Sequence, residues 1–299
     1  MPKAPQNLAA STRARLQNHA RAQGQAFDLV LTRYALERLL YRLSQSPVAD
    51  RFVLKGAMLV MTWFDAPHRG TRDLDLLGFG DPDPDALIEV FRQVMAAPGT
   101  DALVFDVNAL RSEPIREDVE YGGVRLRTRA TLDGARIAIA IDIGFGDAVE
   151  PGVEVIDYPV LLDLPAPRLR AYARETVIAE KFQAMVALGR ANSRMKDFYD
   201  IWVLSRTHAF DPDRLSRAVA ATFERRETEI PTEAPDALTP AFAADAAKQT
   251  QWRAFITDLE LAPADLALVV SDLAAFIMPH AKAAKTLNQT DSWFRGQHR

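Results

Sequence analysis

The feature that most constrains this chain is a pair of aspartates set among leucines at residues 73–76. The order Asp-Leu-Asp-Leu has the period of two that is typical of a half-buried strand, so Asp73 and Asp75 face the same side. Two like charges this close repel, and such a pair persists where a positive charge lies between them. A divalent cation is the usual solution, since carboxylate oxygens are its preferred ligands. The sequence therefore predicts a strand over residues 71–77 that carries a metal site.

A third aspartate, Asp142, lies in the apolar run of residues 137–143, which indicates a central strand. On a neighbouring strand it would be the third ligand of a two-metal site, whose ions lie roughly 3.5–4 Å apart and clamp an in-line phosphoryl displacement. One ion would hold triphosphate oxygens and the other would lower the pKa of the attacking hydroxyl, with Asp142 as the nearest candidate base. We therefore predict that the protein handles nucleoside triphosphates (NTPs) with Mg²⁺ or Mn²⁺ bound by Asp73, Asp75 and Asp142.

Gly56 and Ala57 follow a short predicted strand, residues 51–54, and open a helix. Small residues at such a turn let backbone N–H groups approach a phosphate, and a helix N-terminus favours negative charge. The pair is a candidate phosphate cradle, although a plain tight turn would have the same sequence. Lys55 and Arg72 are adjacent cations that either neutralise a triphosphate or pair with the aspartates.

A second group of charged residues lies in the helical part of the chain. Lys181 falls within an apolar helix predicted over residues 175–188, where the alternative is a lysine that reaches out to solvent. Asp197 and Asp200 stand at i and i+3 on one side of the next predicted helix. Charges at this density beside an apolar stripe exceed what solubility demands, and we predict a functional role for them. The candidates for contact with an acceptor or an RNA are Arg190, Arg194, Lys196 and Asp200.

The strongest hairpin signal lies upstream of Asp142. Alternation of apolar and polar residues over 122–131 leads into Asp133-Gly134, a dipeptide typical of a two-residue turn, and then into the second strand. The outward face of the first strand carries three arginines, which are either solvated or turned toward a polyanion: Arg125, Arg127 and Arg129.

The order of patterns along the chain predicts an α+β fold. Helical spacing over residues 27–43 is followed by several short strands, and the chain is predicted to be helical beyond Pro167. The last helix is expected over residues 265–277, with a mobile polar tail from Lys282. We predict a mixed sheet with helices and then a helical bundle, divided into an N-terminal helical arm (1–45), a core (46–165) and a C-terminal helical domain (166–299).

Composition excludes several alternatives. The chain has no cysteine, which excludes disulfides and cysteine-based zinc sites, and its five histidines show no ligand spacing. Neither a P-loop nor the Gly-x-Ser-x-Gly elbow of serine hydrolases is present. A net charge of −4 provides no global basic field for nucleic acid. Without an apolar stretch of about 20 residues or a signal-type core, we expect a cytoplasmic protein with no membrane partner.

As a set, these motifs resemble the DNA polymerase β-type nucleotidyltransferase superfamily, and more narrowly its AbiEii/AbiGii family. Members of that family are the toxins of type IV toxin–antitoxin systems, which include the MenT toxins. The resemblance runs from about Phe52 to Leu204. The segments that carry it are Lys55-Gly56-Ala57, Thr71–Leu76, Ile141–Asp147, Glu180–Phe182 and Lys196–Asp200.

The resemblance implies a nucleotidyltransferase-like mixed β-sheet core, an NTP substrate and Mg²⁺ as cofactor. It further implies transfer of a nucleoside monophosphate, in the best-described members to the 3′ end of tRNA, which blocks aminoacylation and halts growth. By motif position, Asp73 and Asp75 would hold metal, Gly56 and Ala57 would cradle phosphate, Lys181 would contact the triphosphate, and Asp197 would be the late catalytic aspartate. Ala57 departs from the usual Gly-Ser or Gly-Gly pair, which removes a hydroxyl contact. The cognate antitoxin of such toxins is a separately encoded protein.

Two alternatives stay open at this point. The nucleotide could be transferred to a small molecule or a protein side chain, or the protein could be a catalytically silent nucleotide- or partner-binding relative of the same fold. Asp73→Ala and Asp75→Ala would leave the phenotype of a silent protein unchanged. Lys181→Ala is expected to raise the requirement for NTP while the fold stays intact.

Overall fold

A computed structural model of the chain describes residues 7–64, 70–115, 123–257, 259 and 261–296, with the side chains of 289–296 left aside. The chain forms two compact units, which are described separately. The first unit comprises residues 1–146 and 154–171, and the second comprises residues 147–153 and 172–299. The predicted limits at residues 45 and 165 differ from this division, because the N-terminal helices pack within the first unit.

Over the residues that the structure describes, the first unit is built on an eight-stranded mixed sheet. Its strands are β1 (Phe52–Lys55), β2 (Leu74–Gly78), β3 (Val104–Phe105), β4 (Arg111–Ile115), β5 (Gly123–Leu132), β6 (Ala135–Phe145), β7 (Val153–Asp157) and β8 (Arg168–Tyr172). Their spatial order is β3-β5-β6-β2-β1-β8-β7, and β4 also pairs with β5. Strand β2 is parallel to β6 and antiparallel to β1. The predicted α+β class, with a mixed sheet ahead of a helical part, is confirmed.

The predicted hairpin forms the long β5–β6 pair. Asp133 and Gly134 make its two-residue turn with φ values of 46° and 78°, the left-handed values of a primed turn. The inward side chains of the pair, such as Leu126 and Ile141, are fully buried. A slip of one residue would turn this apolar face to solvent, so burial and the turn together set the register.

The helices described in the first unit are α1 (Leu8–Ala22), α2 (Phe27–Ser44), α3 (Gly56–Val60) and α4 (Pro84–Ala96). Helix α2 confirms the predicted apolar stripe and packs against β6 and α4. Helix α4 begins in an acidic, proline-containing segment, where Asp83 accepts the Ala86 N–H at 2.8 Å and proline fits the first turn.

One acid on α2 is fully buried. Glu37 accepts the Leu161 N–H at 2.8 Å through Oε2, and its Oε1 lies 3.1 Å from Arg38 Nε. Burial raises the pKa of the Glu37 carboxyl from its ordinary 4.5 to about 7, because these two partners only partly offset the lost hydration.

This raised pKa predicts a pH dependence of stability. Between pH 4.5 and about 7 the folded protein keeps a proton on Glu37 that the unfolded chain releases. This contribution to stability is fully present below pH 4.5 and is lost as the pH rises through about 7. The loss in the free energy of unfolding is up to about 3 kcal/mol. Glu37→Gln cannot ionise, so its urea-unfolding free energy should lack this decline between about pH 5 and about pH 8. Parallel pH profiles for the two proteins would contradict the assignment.

The second unit is helical, with α5 (Arg174–Leu188), α6 (Met195–Thr207), α7 (Pro212–Arg225), α8 (Pro240–Ala243), α9 (Ala246–Ile256) and α10 (Leu266–Gly296). The expectation that the last helix ends at Ile277 is wrong, since α10 continues through Pro279. Proline removes one backbone hydrogen bond, but buried Ile277, Ala281 and Ala284 on both sides hold the helix together. By length and composition, residues 266–288 could also cross a membrane, although the helix packs against α6, α7 and α8 here.

Two further predictions need correction. Residues beyond Pro167 are not all helical, because Arg168–Tyr172 forms β8, parallel to β1. The change from polar Arg168 to apolar Leu169 was the sequence signal for this strand, and the first is exposed and the second buried. The signal is weak because the strand is short and its partner strand lies far away in the sequence. The acidic strand begins at Leu74 rather than at residue 71, so Asp73 stands just before it.

Candidate active site

Four charged side chains lie in register across four neighbouring strands. Lys55 on β1 pairs with Asp75 on β2, Asp75 pairs with Asp142 on β6, and Asp142 pairs with Arg125 on β5. We call these four residues the charged row. Directly paired residues present their side chains on the same face of a sheet. The row therefore places two aspartates side by side between two cations, and the predicted adjacency of Asp75 and Asp142 is observed.

Asp73 adds a third acid beside the charged row. It stands two residues before Asp75, and the Thr71 hydroxyl donates to Asp73 Oδ1 at 2.6 Å. Its negative charge acts on Arg125 of β5. The hydrogen bond to Asp142 raises the pKa of the Arg125 guanidinium, and burial opposes this rise. The charges of Asp142, Asp73 and Asp75 raise the same pKa further. All three acids that the sequence singles out thus act on the same guanidinium.

Gly56 is required by its closeness to Asp75. Its φ is +69°, in the left-handed region, and a Cβ at this position would lie 1.9 Å from Asp75 Oδ2. Only a residue without a side chain lets the carboxylate lie against the start of α3. Ala57 is 7% exposed and packs into the core, so its predicted contact with phosphate could come only from its backbone.

Gly56→Ala is expected to destabilise the first unit by about 2–4 kcal/mol, since the new methyl group collides with Asp75 and strains the backbone. Thermal unfolding followed by circular dichroism measures the loss. Gly134→Ala is the matched control, because it introduces the same left-handed alanine where a Cβ meets nothing within 4 Å. Equal losses in the two variants would show that contact with Asp75 does not matter.

Arg125 is the site residue that pattern reasoning missed. It donates from Nε and Nη2 to both oxygens of Asp142, with Nε at 2.5 Å from Oδ1. The sequence held a signal for this pair, because Arg125 and Asp142 lie equally far from the Asp133-Gly134 turn and so face each other in the hairpin. The neighbouring arginines on β5 have other partners: Arg127 pairs with Glu113, and Arg129 pairs with Asp106.

The donor set fits one divalent cation better than two. Asp73 and Asp75 offer carboxylate oxygens, and Mg²⁺ is commonly held by one or two carboxylates together with substrate phosphates. Within the parts of the chain that the structure describes, no three His, Asp or Glu side chains are grouped so that they could hold a metal by themselves. Arg72, a predicted nucleotide contact, lies on the surface and pairs with Asp28 at 2.7 Å.

The second unit contains the other predicted group, which we call the Lys181 cluster: Lys181, Arg194, Asp197 and Asp200. Lys181 on α5 places Nζ 2.6 Å from Asp197 Oδ1 and 2.8 Å from Asp200 Oδ2 on α6. Arg194 Nε lies 2.7 Å from Asp197 Oδ2. Both aspartates are 0% exposed, so their spacing of three residues places them on the buried face of α6. Lys181 therefore bridges two buried acids, and 12% of its side chain stays exposed.

The loop before α6 is held by polar contacts. Lys248, itself buried, donates to the Asn192 carbonyl at 2.8 Å, and the Asn192 side chain accepts the Arg194 N–H at 2.8 Å. Arg190 pairs with Asp236 at 3.0 Å, and Lys196 is exposed. Asp200, the other candidate for an RNA contact, is 0% exposed and pairs with Lys181 at 2.8 Å.

A further polar group in the second unit involves a residue that the sequence did not single out, Arg226. Its guanidinium contacts Asp147 at 3.1 Å and Glu180 at 3.3 Å, and the Tyr172 hydroxyl donates to Glu180 at 3.2 Å. Burial raises the pKa of Tyr172 well above its ordinary value, and the two acids add to this rise. Asp147 and Glu180 are therefore paired with the Arg226 guanidinium and Glu180 also with the neutral Tyr172 hydroxyl, so this group stabilises the fold of the second unit.

Comparison with known proteins adds independent information. The sequence profile of a family described as nucleotidyl transferase AbiEii toxin, type IV TA system, matches residues 38–283. No curated protein matches the chain significantly. The crystal structure of JHP933 from Helicobacter pylori matches with 16% identity and a TM-score of 0.46, covering 90% of this chain and 97% of that one. A second H. pylori chain, described as a candidate nucleotidyltransferase, matches with 16% identity, a TM-score of 0.46, and coverage of 87% and 96%.

Proposed function

Because the chain belongs to the AbiEii nucleotidyl transferase toxin family of type IV toxin–antitoxin systems, we propose that it transfers a nucleoside monophosphate from an NTP to the 3′ end of a tRNA. The protein is a nucleotidyltransferase, and its family implies a cognate antitoxin. The observation that carries the proposal for this chain is the charged row with Asp73 beside it, where Asp75 and Asp142 lie in register and the charges of all three acids act on Arg125. A tRNA blocked at its 3′ end cannot be aminoacylated, so growth stops.

We propose Mg²⁺ as the cofactor, with Mn²⁺ as a substitute, held by Asp73 and Asp75. When bound, the ion neutralises the triphosphate and favours departure of pyrophosphate. The chain's own residues do the rest. Lys55, in register beside Asp75, supplies positive charge to phosphate oxygens, and Gly56 lets the Asp75 carboxylate lie at the start of α3.

For the second unit, we propose Lys181 as a triphosphate contact and Asp197 as the late catalytic aspartate. The support is the match of these residues to the family motif, together with their tight ion pairs of 2.6 and 2.8 Å, which hold the lysine in one position. Arg194 and Lys196 present positive charge at the surface next to this cluster and are the proposed contacts for the RNA backbone.

A labelling assay tests the proposal. The purified protein is incubated with Mg²⁺, total tRNA and each labelled NTP in turn, and label should appear in RNA for at least one nucleotide. Asp73→Asn is the negative control, and removing the 3′-terminal hydroxyl of the tRNA should abolish incorporation. Absence of labelled RNA with all four nucleotides would overturn the tRNA proposal.

The alternative acceptors give different outcomes in the same assay. Label in protein or in a small molecule would favour transfer to those acceptors, and no label in any fraction would favour a catalytically silent protein. In cells, we expect cytoplasmic expression to arrest growth unless the separately encoded antitoxin is present. Cells that express the Asp75→Ala variant should grow normally. If the protein were a catalytically silent binding protein, the variant would be as toxic as the wild type.

A further inference from the structure

The charged row balances its own charge without a metal ion. Asp75 and Asp142 contribute two negative charges, and Lys55 and Arg125 contribute two positive charges in the same register line. Within the part of the chain that the structure describes, the acid that acts on the row beyond this balance is Asp73. A site with a single excess negative charge suits one divalent cation and leaves little attraction for a second.

Arg125 also occupies the oxygens that a second ion would need. Its Nε and Nη2 donate to Oδ1 and Oδ2 of Asp142, so the carboxylate is held by the bidentate fork typical of arginine. A guanidinium stays protonated in proteins, which means that this cation cannot withdraw by losing a proton. A second metal ion at Asp142 would have to displace it and then lie beside its positive charge.

We propose that Arg125 takes the place of the second metal ion at Asp142, so that the site binds one divalent cation, at Asp73 and Asp75. This inference rests on the proposed metal-dependent transfer and replaces the sequence-based expectation that Asp142 is a metal ligand. It agrees with the finding that, in the described part of the chain, no three carboxylate or imidazole groups are arranged to hold a metal by themselves. Asp142 then serves to position Arg125 against the other two acids.

Calorimetric titration of the full-length protein with Mn²⁺, without NTP or RNA, tests the proposal. The wild type should bind one ion. Asp142→Asn should bind the same number with affinity within about twofold, whereas Asp73→Asn should bind at least about tenfold more weakly. Arg125→Gln leaves Asp142 unneutralised and should gain a second site or bind at least about tenfold more tightly.

Two variants serve as matched controls. Arg127→Gln removes an arginine from the same face of β5, two residues away, but its partner is Glu113, so Mn²⁺ binding should not change. Arg125→Lys keeps the charge and should still bind one ion. The Asp142→Asn titration does not depend on the folding of any Arg125 variant, because asparagine keeps the size of aspartate.

Several results would overturn the inference. These are two ions bound by the wild type, a tenfold loss of Mn²⁺ affinity in Asp142→Asn, an unchanged titration in Arg125→Gln, and no Mn²⁺ binding by any of the proteins. Failure of the proposed function looks different. In that case Mn²⁺ binds as described, but no RNA is labelled in the transfer assay.

Discussion

Replacing Lys181 by methionine is expected to lower the free energy of unfolding of the second unit by about 3–5 kcal/mol. Methionine fills most of the same volume but removes the ammonium that lies 2.6 Å from Asp197 and 2.8 Å from Asp200. Both carboxylates are 0% exposed, so water cannot take over the lost interaction. Two buried negative charges would then repel each other, with Arg194 on the outer side of Asp197.

Urea unfolding followed by far-ultraviolet circular dichroism measures this effect. Lys196→Met is the matched control, because Lys196 is exposed on α6 and its loss should change stability by less than about 0.5 kcal/mol. Adding Asp200→Asn to Lys181→Met should recover at least about 1 kcal/mol, since one of the two repelling charges is removed. If Lys181→Met unfolds like the wild type, the cluster is not a buried ion-pair network. This expected loss differs from the expectation from sequence that Lys181→Ala leaves the fold intact, because the partners of Lys181 are buried.

Asp73→Asn is expected to reduce nucleotide transfer by at least about 10³-fold, because a neutral amide replaces one of the two carboxylates proposed to hold Mg²⁺. Stability should be nearly unaffected. The amide oxygen can still accept the Thr71 hydroxyl that lies 2.6 Å from Asp73 Oδ1. Removing one of several neighbouring negative charges also relieves repulsion in the metal-free protein.

The labelling assay measures the loss of transfer, and a thermal melt of the metal-free protein measures stability. The melting temperature should stay within about 2 °C of the wild type. Asp85→Asn, which removes an exposed acid from α4, should keep full transfer activity. Normal activity in Asp73→Asn would remove this residue from the metal site, and a clear loss of thermal stability would show that its role is structural.

The charged face of the sheet was largely predictable from local patterns. The alternation around Asp75 and the apolar run around Asp142 each indicate a strand, and a strand assigns its side chains to faces by geometry alone. The same rule, applied to the hairpin, would also have found Arg125. The family motif, a set of short segments, likewise needed no tertiary structure, and its match over residues 38–283 confirms the nucleotidyltransferase assignment.

Contacts between distant segments could not be predicted in this way. The sequence of β8 does not indicate that β1 is its parallel partner. The helical spacing of α5 likewise does not predict which face of α6 packs against it. The burial of Asp200 and the continuation of α10 through Pro279 both depend on such contacts. The geometry of helices and strands repeats every two to four residues, so the local order of apolar and polar residues is enough to predict it. The pairing of remote surfaces depends on which combination buries the most apolar area, and that is a property of the whole folded chain.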